Sequence, residues 1–216
     1  MPNPIFPKSA DRILRLGAAV GAVAGASVLG VAAYLAHPTN IDTGYTPVQP
    51  VPYSHKLHAG NLGMDCRYCH SSVENSAYAA IPATEVCMNC HVRVKPQSPQ
   101  LQKVRESYAT GEPVPWVKVH RLADYVYFNH RAHVTAGVSC VSCHGRVDQM
   151  IEVKQVQPLS MAWCLDCHRN PAPHIRPPEL VTRLDWKPDR DPAELGRELI
   201  AAKNIHPPVN CSGCHR

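Results

Sequence analysis

The chain has little from which to build an ordinary hydrophobic core. Its 216 residues include only two Phe and three Trp. Large aromatic side chains supply much of the buried area in most domains, so this scarcity argues against a centre made of side chains alone. Charge is sparse too, at 18% Asp, Glu, Lys and Arg, against roughly 25% in typical soluble domains. Only one long apolar run is present. Proline is plentiful, at 21, and with the 12 glycines it breaks both helices and sheets. The expected fold class is mostly irregular with short α-helices and little or no sheet, around a core supplied from outside the polypeptide.

No cysteine is left over from a single motif. All ten fall in five CxxCH boxes: Cys66 and Cys69 with His70, Cys87 and Cys90 with His91, Cys140 and Cys143 with His144, Cys164 and Cys167 with His168, Cys211 and Cys214 with His215. Two thiols at this spacing can form thioethers with the vinyl groups of one haem, and the histidine directly after them can reach its iron. Paired CxxC knuckles also make zinc ribbons, but zinc does not require a histidine after each second cysteine. Five repeats of that histidine therefore point to five haems c, not to zinc or disulfides. The run YFNHRAHVTAGVSCVSCH, residues 127–144, holds every part at once, with His130 and His133 just upstream of a box.

The formal charge is +5. Each haem brings two propionates and a ferric centre of net positive charge, so the loaded chain is near neutral when oxidised and more acidic when reduced. Such a balance gives no nucleic-acid footprint. Arg67, Arg131, Arg146 and Arg169 stand where they can pair with propionates.

Residues 1–16 are short and basic, with Lys8, Arg12 and Arg15, and are expected in the cytoplasm. Residues 17–36, GAAVGAVAGASVLGVAAYLA, carry no charge and are long enough to span a bilayer. Positive charge on the N-terminal side alone places the chain after Ala36 outside the cytoplasm, where haem attachment to CxxCH also takes place. The expected location is the inner membrane, single-pass, with the haem part on the periplasmic side. The alternative is a signal peptide cut near Ala32 and Ala33. Gly17, Gly21 and Gly25 recur at spacing four, which suits close packing against partner helices.

Residues 37–50 read as a spacer, and after them an internal repeat appears. YSHKLH, the box CRYCH, SSVE, a proline and a second box are matched by FNHRAH, CVSCH, GRVD, a proline and the box at Cys164. The expected units are a dihaem module with connector at 51–115, a second module at 116–173, and a C-terminal segment, 174–216, with the fifth haem. Short helices are expected at Leu101–Gly111 and from Asp191.

Each iron needs a second axial ligand. Ser54 and Asn129 precede the HxxH pairs as helix-capping residue types. Histidines three apart then project from neighbouring faces and serve different haems. His55 and His130 are expected to complete the haems of Cys66 and Cys140. His58, His120 and His133 would serve other sites in an order left open, and Met161 is a rival thioether ligand. His37, His174 and His206 read as ordinary structural histidines. Six-coordinate irons leave no place for substrate, so the chain reads as an electron conductor and not as an enzyme on its own.

The modules resemble class III multihaem cytochromes c. More closely, YSHKLHAGNLGMDCRYCHSSVE, IPATEVCMNCH, VRESYATGEPVPWVKVH, YFNHRAHVTAGVSCVSCHGRVDQM and LSMAWCLDCHRNP together resemble the pentahaem cytochrome c subunits of bacterial alternative complex III. That resemblance covers most of residues 51–173. It implies a respiratory or photosynthetic membrane complex that oxidises quinol and passes electrons to periplasmic carriers or an oxidase. It also implies partners: an iron–sulfur protein, quinol-binding integral membrane subunits and a monohaem cytochrome c. Two other readings are a self-sufficient membrane-anchored quinol dehydrogenase and a multihaem reductase with one open iron.

Overall fold

A computed structural model describes residues 5–215. Residues 1–4, the side chain of Lys8 and Arg216 lie outside that description, and with them part of the basic N-terminal stretch. The chain forms two compact units, residues 1–41 and 42–216.

The first unit is one long helix, α1 (Lys8–Ala36), followed by the single turn α2 (Pro38–Ile41). Twenty-nine residues at about 1.5 Å each give roughly 43 Å, more than the roughly 30 Å of a hydrocarbon layer. The segment Ser9–Ala36 is long and apolar enough to cross a membrane, with mean hydropathy 1.9. Charge is confined to its start, where Arg15 pairs with Asp11 at 2.8 Å. Gly17, Gly21 and Gly25 have nothing within 4 Å of where a Cβ would sit. The helix ends when His37 turns extended, and the Tyr34 carbonyl accepts from both the His37 N–H at 3.2 Å and the Asn40 amide at 2.6 Å. His37 does structural work, its Nδ1 accepting from the Thr39 N–H.

The second unit is short helices and irregular backbone. Among the described residues it has no strand, only two isolated antiparallel bridges, Val126 with His215 and Val138 with Ile175. Most cysteine pairs sit on a turn of helix, which brings both thiols of a CxxC to one side. The sequence starts these turns with capping side chains that accept an orphan N–H. Asp65 caps α3 (Cys66–Cys69), Ser139 caps α7 (Cys140–His144) and Ser160 caps α8 (Met161–Arg169). Asn210 does the same for the tight turn at Cys211–Gly213. The second box lies on α4 (Thr84–His91), which has no side-chain cap.

The remaining helices carry the other parts. Lys56–Asn61 is a short π-helical segment, and the Leu57 N–H is capped by the Ser54 hydroxyl at 3.2 Å. Its counterpart α6 (His130–Ala136) starts at Asn129, but the Asn129 side chain makes no cap. Instead the His130 and Arg131 N–H groups donate to the Ala77 and Ser76 carbonyls of the first module, at 3.1 and 3.2 Å. The expected connector helix is α5 (Gln102–Thr110), stopped by Gly111 at φ 78°. The expected tail helix is α9 (Pro192–Lys203), with Pro192 in its first turn and Asp191 capping Glu194. It lies against residues 172–174 at Gly196, where any Cβ would collide with the Ala172 carbonyl.

Part of the stretch expected as a free spacer is pinned. Gly44 and Tyr45 bond to the Gln155 backbone, and the Gln49 amide both donates to and accepts from Val117, at 2.8 and 3.0 Å. A glutamine amide can do this because it offers a donor and an acceptor on one group. Buried apolar side chains are few and small. Val51, Met88 and Val104 form one cluster; Val73, Val134 and Val181 form another.

Candidate haem-binding centres

The repeat seen in the sequence is a repeat in space. In the first module the Tyr53 ring stands edge-on to His55 at 4.8 Å and stacks on His58 at 4.4 Å. In the second, Phe128 stands edge-on to His130 at 4.7 Å and lies tilted on His133 at 4.6 Å. One aromatic ring thus wedges each pair of histidines apart and holds them in different directions.

Each pair then reaches two different boxes. The His58 and His91 ring centroids are 6.3 Å apart, His130 and His144 are 6.4 Å apart, and His133 and His168 are 6.0 Å apart. Burial chiefly, then the charges of His70 and His58, push the His55 pKa down to about 4. Two metal–nitrogen bonds of roughly 2 Å plus two imidazole radii come to roughly 6 Å between centroids. The three measured gaps therefore fit an iron held between two imidazoles.

Ring orientation supports the same fit. The Nδ1 of each box histidine faces an acceptor: His70 the Ala80 carbonyl at 2.6 Å, His91 Val94 at 2.9 Å, His168 Pro208 at 2.7 Å and His215 Tyr125 at 3.2 Å. His58, His130 and His133 direct Nδ1 to the carbonyls of Ser54, Ala77 and Asn129 at 2.9, 2.9 and 2.8 Å. A protonated Nδ1 donating to a carbonyl leaves Nε2 unprotonated, with its lone pair free for a metal. His55 departs from the pattern, its Nδ1 being buried without a partner.

His120, expected among the distal ligands, sits instead with its Nε2 3.2 Å from His144 Nδ1, its ring centroid 4.2 Å from that of His144. Burial pushes His144 furthest, to a pKa of about 3. Met161 opens α8 and is 66% exposed. Tyr125 faces His215 at 5.6 Å. His206 bonds Asn204. Arg67 and Arg146, expected to meet propionates, are paired within the protein, Arg67 with Asp65 and Glu74, Arg146 with Asp148.

All ten cysteines are unpaired thiols. Among the described residues no group of three or more His, Cys, Asp or Glu converges as an ion site. Residues 126–216 match the family described as cytochrome c7 and related cytochrome c. That stretch holds the third, fourth and fifth boxes together with α6. Over 97 residues the chain is also 37% identical to the multihaem cytochrome c subunit of menaquinone reductase from Nitratidesulfovibrio vulgaris. The match covers 44% of this chain and 45% of that relative, less than half the length of either. The fold is thus mostly helical and irregular, with a cytochrome c7-like part, and the likeness is to multihaem c-type cytochromes.

Sequence reasoning did not find the carbonyls of Ala77, Ala80, Val94, Tyr125 and Pro208 that orient the imidazoles. A backbone carbonyl carries no residue-type signal. The role of Tyr53 and Phe128 did have one, an aromatic residue placed two positions before each HxxH.

Proposed function

We propose that this chain binds five haems c and relays electrons between quinone-linked membrane subunits and carriers on the far side of the membrane. The observation that carries the reading is three histidine pairs about 6 Å apart, a spacing that would take an iron between the two rings. The paired cysteines would hold each haem by thioethers, with His70, His91, His144, His168 and His215 on the proximal side. His55, His58, His130 and His133 would complete the first, second, third and fourth haems. Bound haem supplies a one-electron couple, and a six-coordinate iron passes electrons without binding substrate. His120 then serves as the hydrogen-bond acceptor that orients His144. With His133 facing His168, Met161 at the exposed start of α8 would not be needed as a ligand there.

The resemblance to alternative complex III subunits supports a place in such a complex, with an iron–sulfur protein, quinol-binding membrane subunits and a monohaem cytochrome c as partners. Helix α1 would anchor the chain in the inner membrane, with its haem part on the periplasmic side. The menaquinone reductase relative favours a second reading of the same relay, in which electrons run toward quinone.

Purification from membranes in mild detergent tests the proposal, with quinol oxidation and quinone reduction assayed on the intact assembly and on this chain alone. Co-purification with membrane and iron–sulfur subunits, and turnover by the assembly alone, is the expected result. Turnover by the isolated chain would make it a self-sufficient dehydrogenase instead.

A further inference from the structure

The order of the boxes along the chain is not their order in space. Neighbour relations between the five sites can be followed residue by residue.

The first and second sites adjoin. The Tyr53 ring holds both His55 and His58, His58 faces His91 of the second box, and the Asn89 amide donates to the Tyr68 hydroxyl at 3.2 Å. The first and third adjoin as well. Val73, three residues after His70, shares a buried cluster with Val134 of α6. The Ala77 carbonyl, three residues from the one that orients His70, takes both the backbone N–H and Nδ1 of His130.

The third and fourth share α6, where His130 faces His144 and His133 faces His168. The fourth and fifth are tied where the Pro208 carbonyl orients His168 at 2.7 Å, three residues before Cys211. Cys90 and Cys211, from the second and fifth boxes, are exposed, whereas the other eight cysteines are partly buried.

We propose that the five haem sites form an unbranched line in the order second, first, third, fourth, fifth, numbered by their boxes along the chain. The sites at Cys87–His91 and Cys211–His215 are then its two ends, and the site at Cys140–His144 is its middle. This rests on the reading that five haems are bound. Electron tunnelling falls off steeply with distance, so such a line forces entry at one exposed end and exit at the other.

Haem-to-haem proton contacts in the NMR spectrum of the reduced, full-length chain in detergent micelles test the order. Assignment uses Cys→Ala pairs that delete one box at a time, each checked by mass for loss of a single haem. Contacts second–first, first–third, third–fourth and fourth–fifth are expected, and no others. In redox titrations, C87A/C90A should shift the potential of the first haem alone, and C140A/C143A should shift those of the first and fourth. A contact between second and third, or between fifth and either of the first two, overturns the order even with five haems attached. If a deletion variant fails to fold, the contact pattern of the unaltered chain still decides. Fewer than five haems by mass would instead overturn the reading on which the order rests.

Discussion

At the scale of single residues, hydrogen bonds to imidazole Nδ1 decide how each ligand is presented. If His144 gives Nε2 to iron, its Nδ1 is protonated and must donate, so His120 Nε2 accepts and His120 carries its own proton on Nδ1. An acceptor there makes the ligand more basic and favours ferric iron. His120→Leu should therefore raise the potential of the third haem by roughly 20–60 mV, the one-electron equivalent of a hydrogen bond of about 0.5–1.5 kcal/mol. A spectropotentiometric titration in which no haem moves would remove His120 from this role. Met161→Leu should leave the spectrum and every potential unchanged; loss of a near-infrared methionine–iron band would place Met161 on an iron. Asp65 works differently, capping α3 while it binds Arg67 and accepts from the Thr182 hydroxyl at 2.9 Å. Arg67 chiefly, and Thr182 further down, hold its carboxyl at a pKa of about 2 against an ordinary 3.8. A depressed carboxylate stabilises the fold above its unfolded pKa, and that stability is lost as pH falls from 3.8 toward 2. Asp65→Ala should lower the thermal midpoint at neutral pH, by about 1 kcal/mol for the lost cap. The deficit should shrink in acid, and a difference constant down to pH 2 would contradict the ionic role.

At the scale of elements, the tail is held by one close approach. Helix α9 reaches the 172–174 turn because residue 196 is glycine, and the Ala172 carbonyl occupies the space a Cβ needs. Gly196→Ala should push the helix away and destabilise the protein by about 1–3 kcal/mol, as overpacking does, measured by denaturant unfolding of the haem protein. An unchanged midpoint would mean that the packing is looser than it looks. Helix α9 was legible from sequence because its signals are local, with Asp191 as cap, Pro192 next and Asn204 in the left-handed conformation at its end. The repeated aromatic, HxxH and CxxCH pattern was legible because spacing alone carries it. The start of α6 was not, because Asn129 is the right residue type for a cap while the actual acceptors, Ser76 and Ala77, lie more than fifty residues away. The pinned stretch from Gly44 was missed for a similar reason, since its partners at Val117 and Gln155 are distant in sequence. His120, expected as a distal ligand, lies against His144, a neighbour that a count of histidines does not reveal.

At the scale of the whole molecule, the polypeptide's own core is too small for the unit it supports. Among the described residues the buried apolar side chains are Val51, Val73, Met88, Val104, Val134, Ala172, Ile175 and Val181, and none is aromatic. A fully buried aliphatic side chain contributes about 1.5–3 kcal/mol, whereas ordering a residue costs about 1–2 kcal/mol in backbone entropy alone. Eight such side chains cannot offset the ordering of residues 42–215. If haem attachment supplies the missing burial, loading and folding are one event, as in small metal-dependent domains. The chain made in cells lacking the haem-attachment machinery should then show no cooperative unfolding and should be cut throughout residues 42–215 by dilute protease. The mature chain should carry the mass of five haems, resist the protease and unfold in a single transition. Cooperative unfolding of the haem-free chain would show that the small aliphatic clusters suffice, and would break the link between the boxes and the fold.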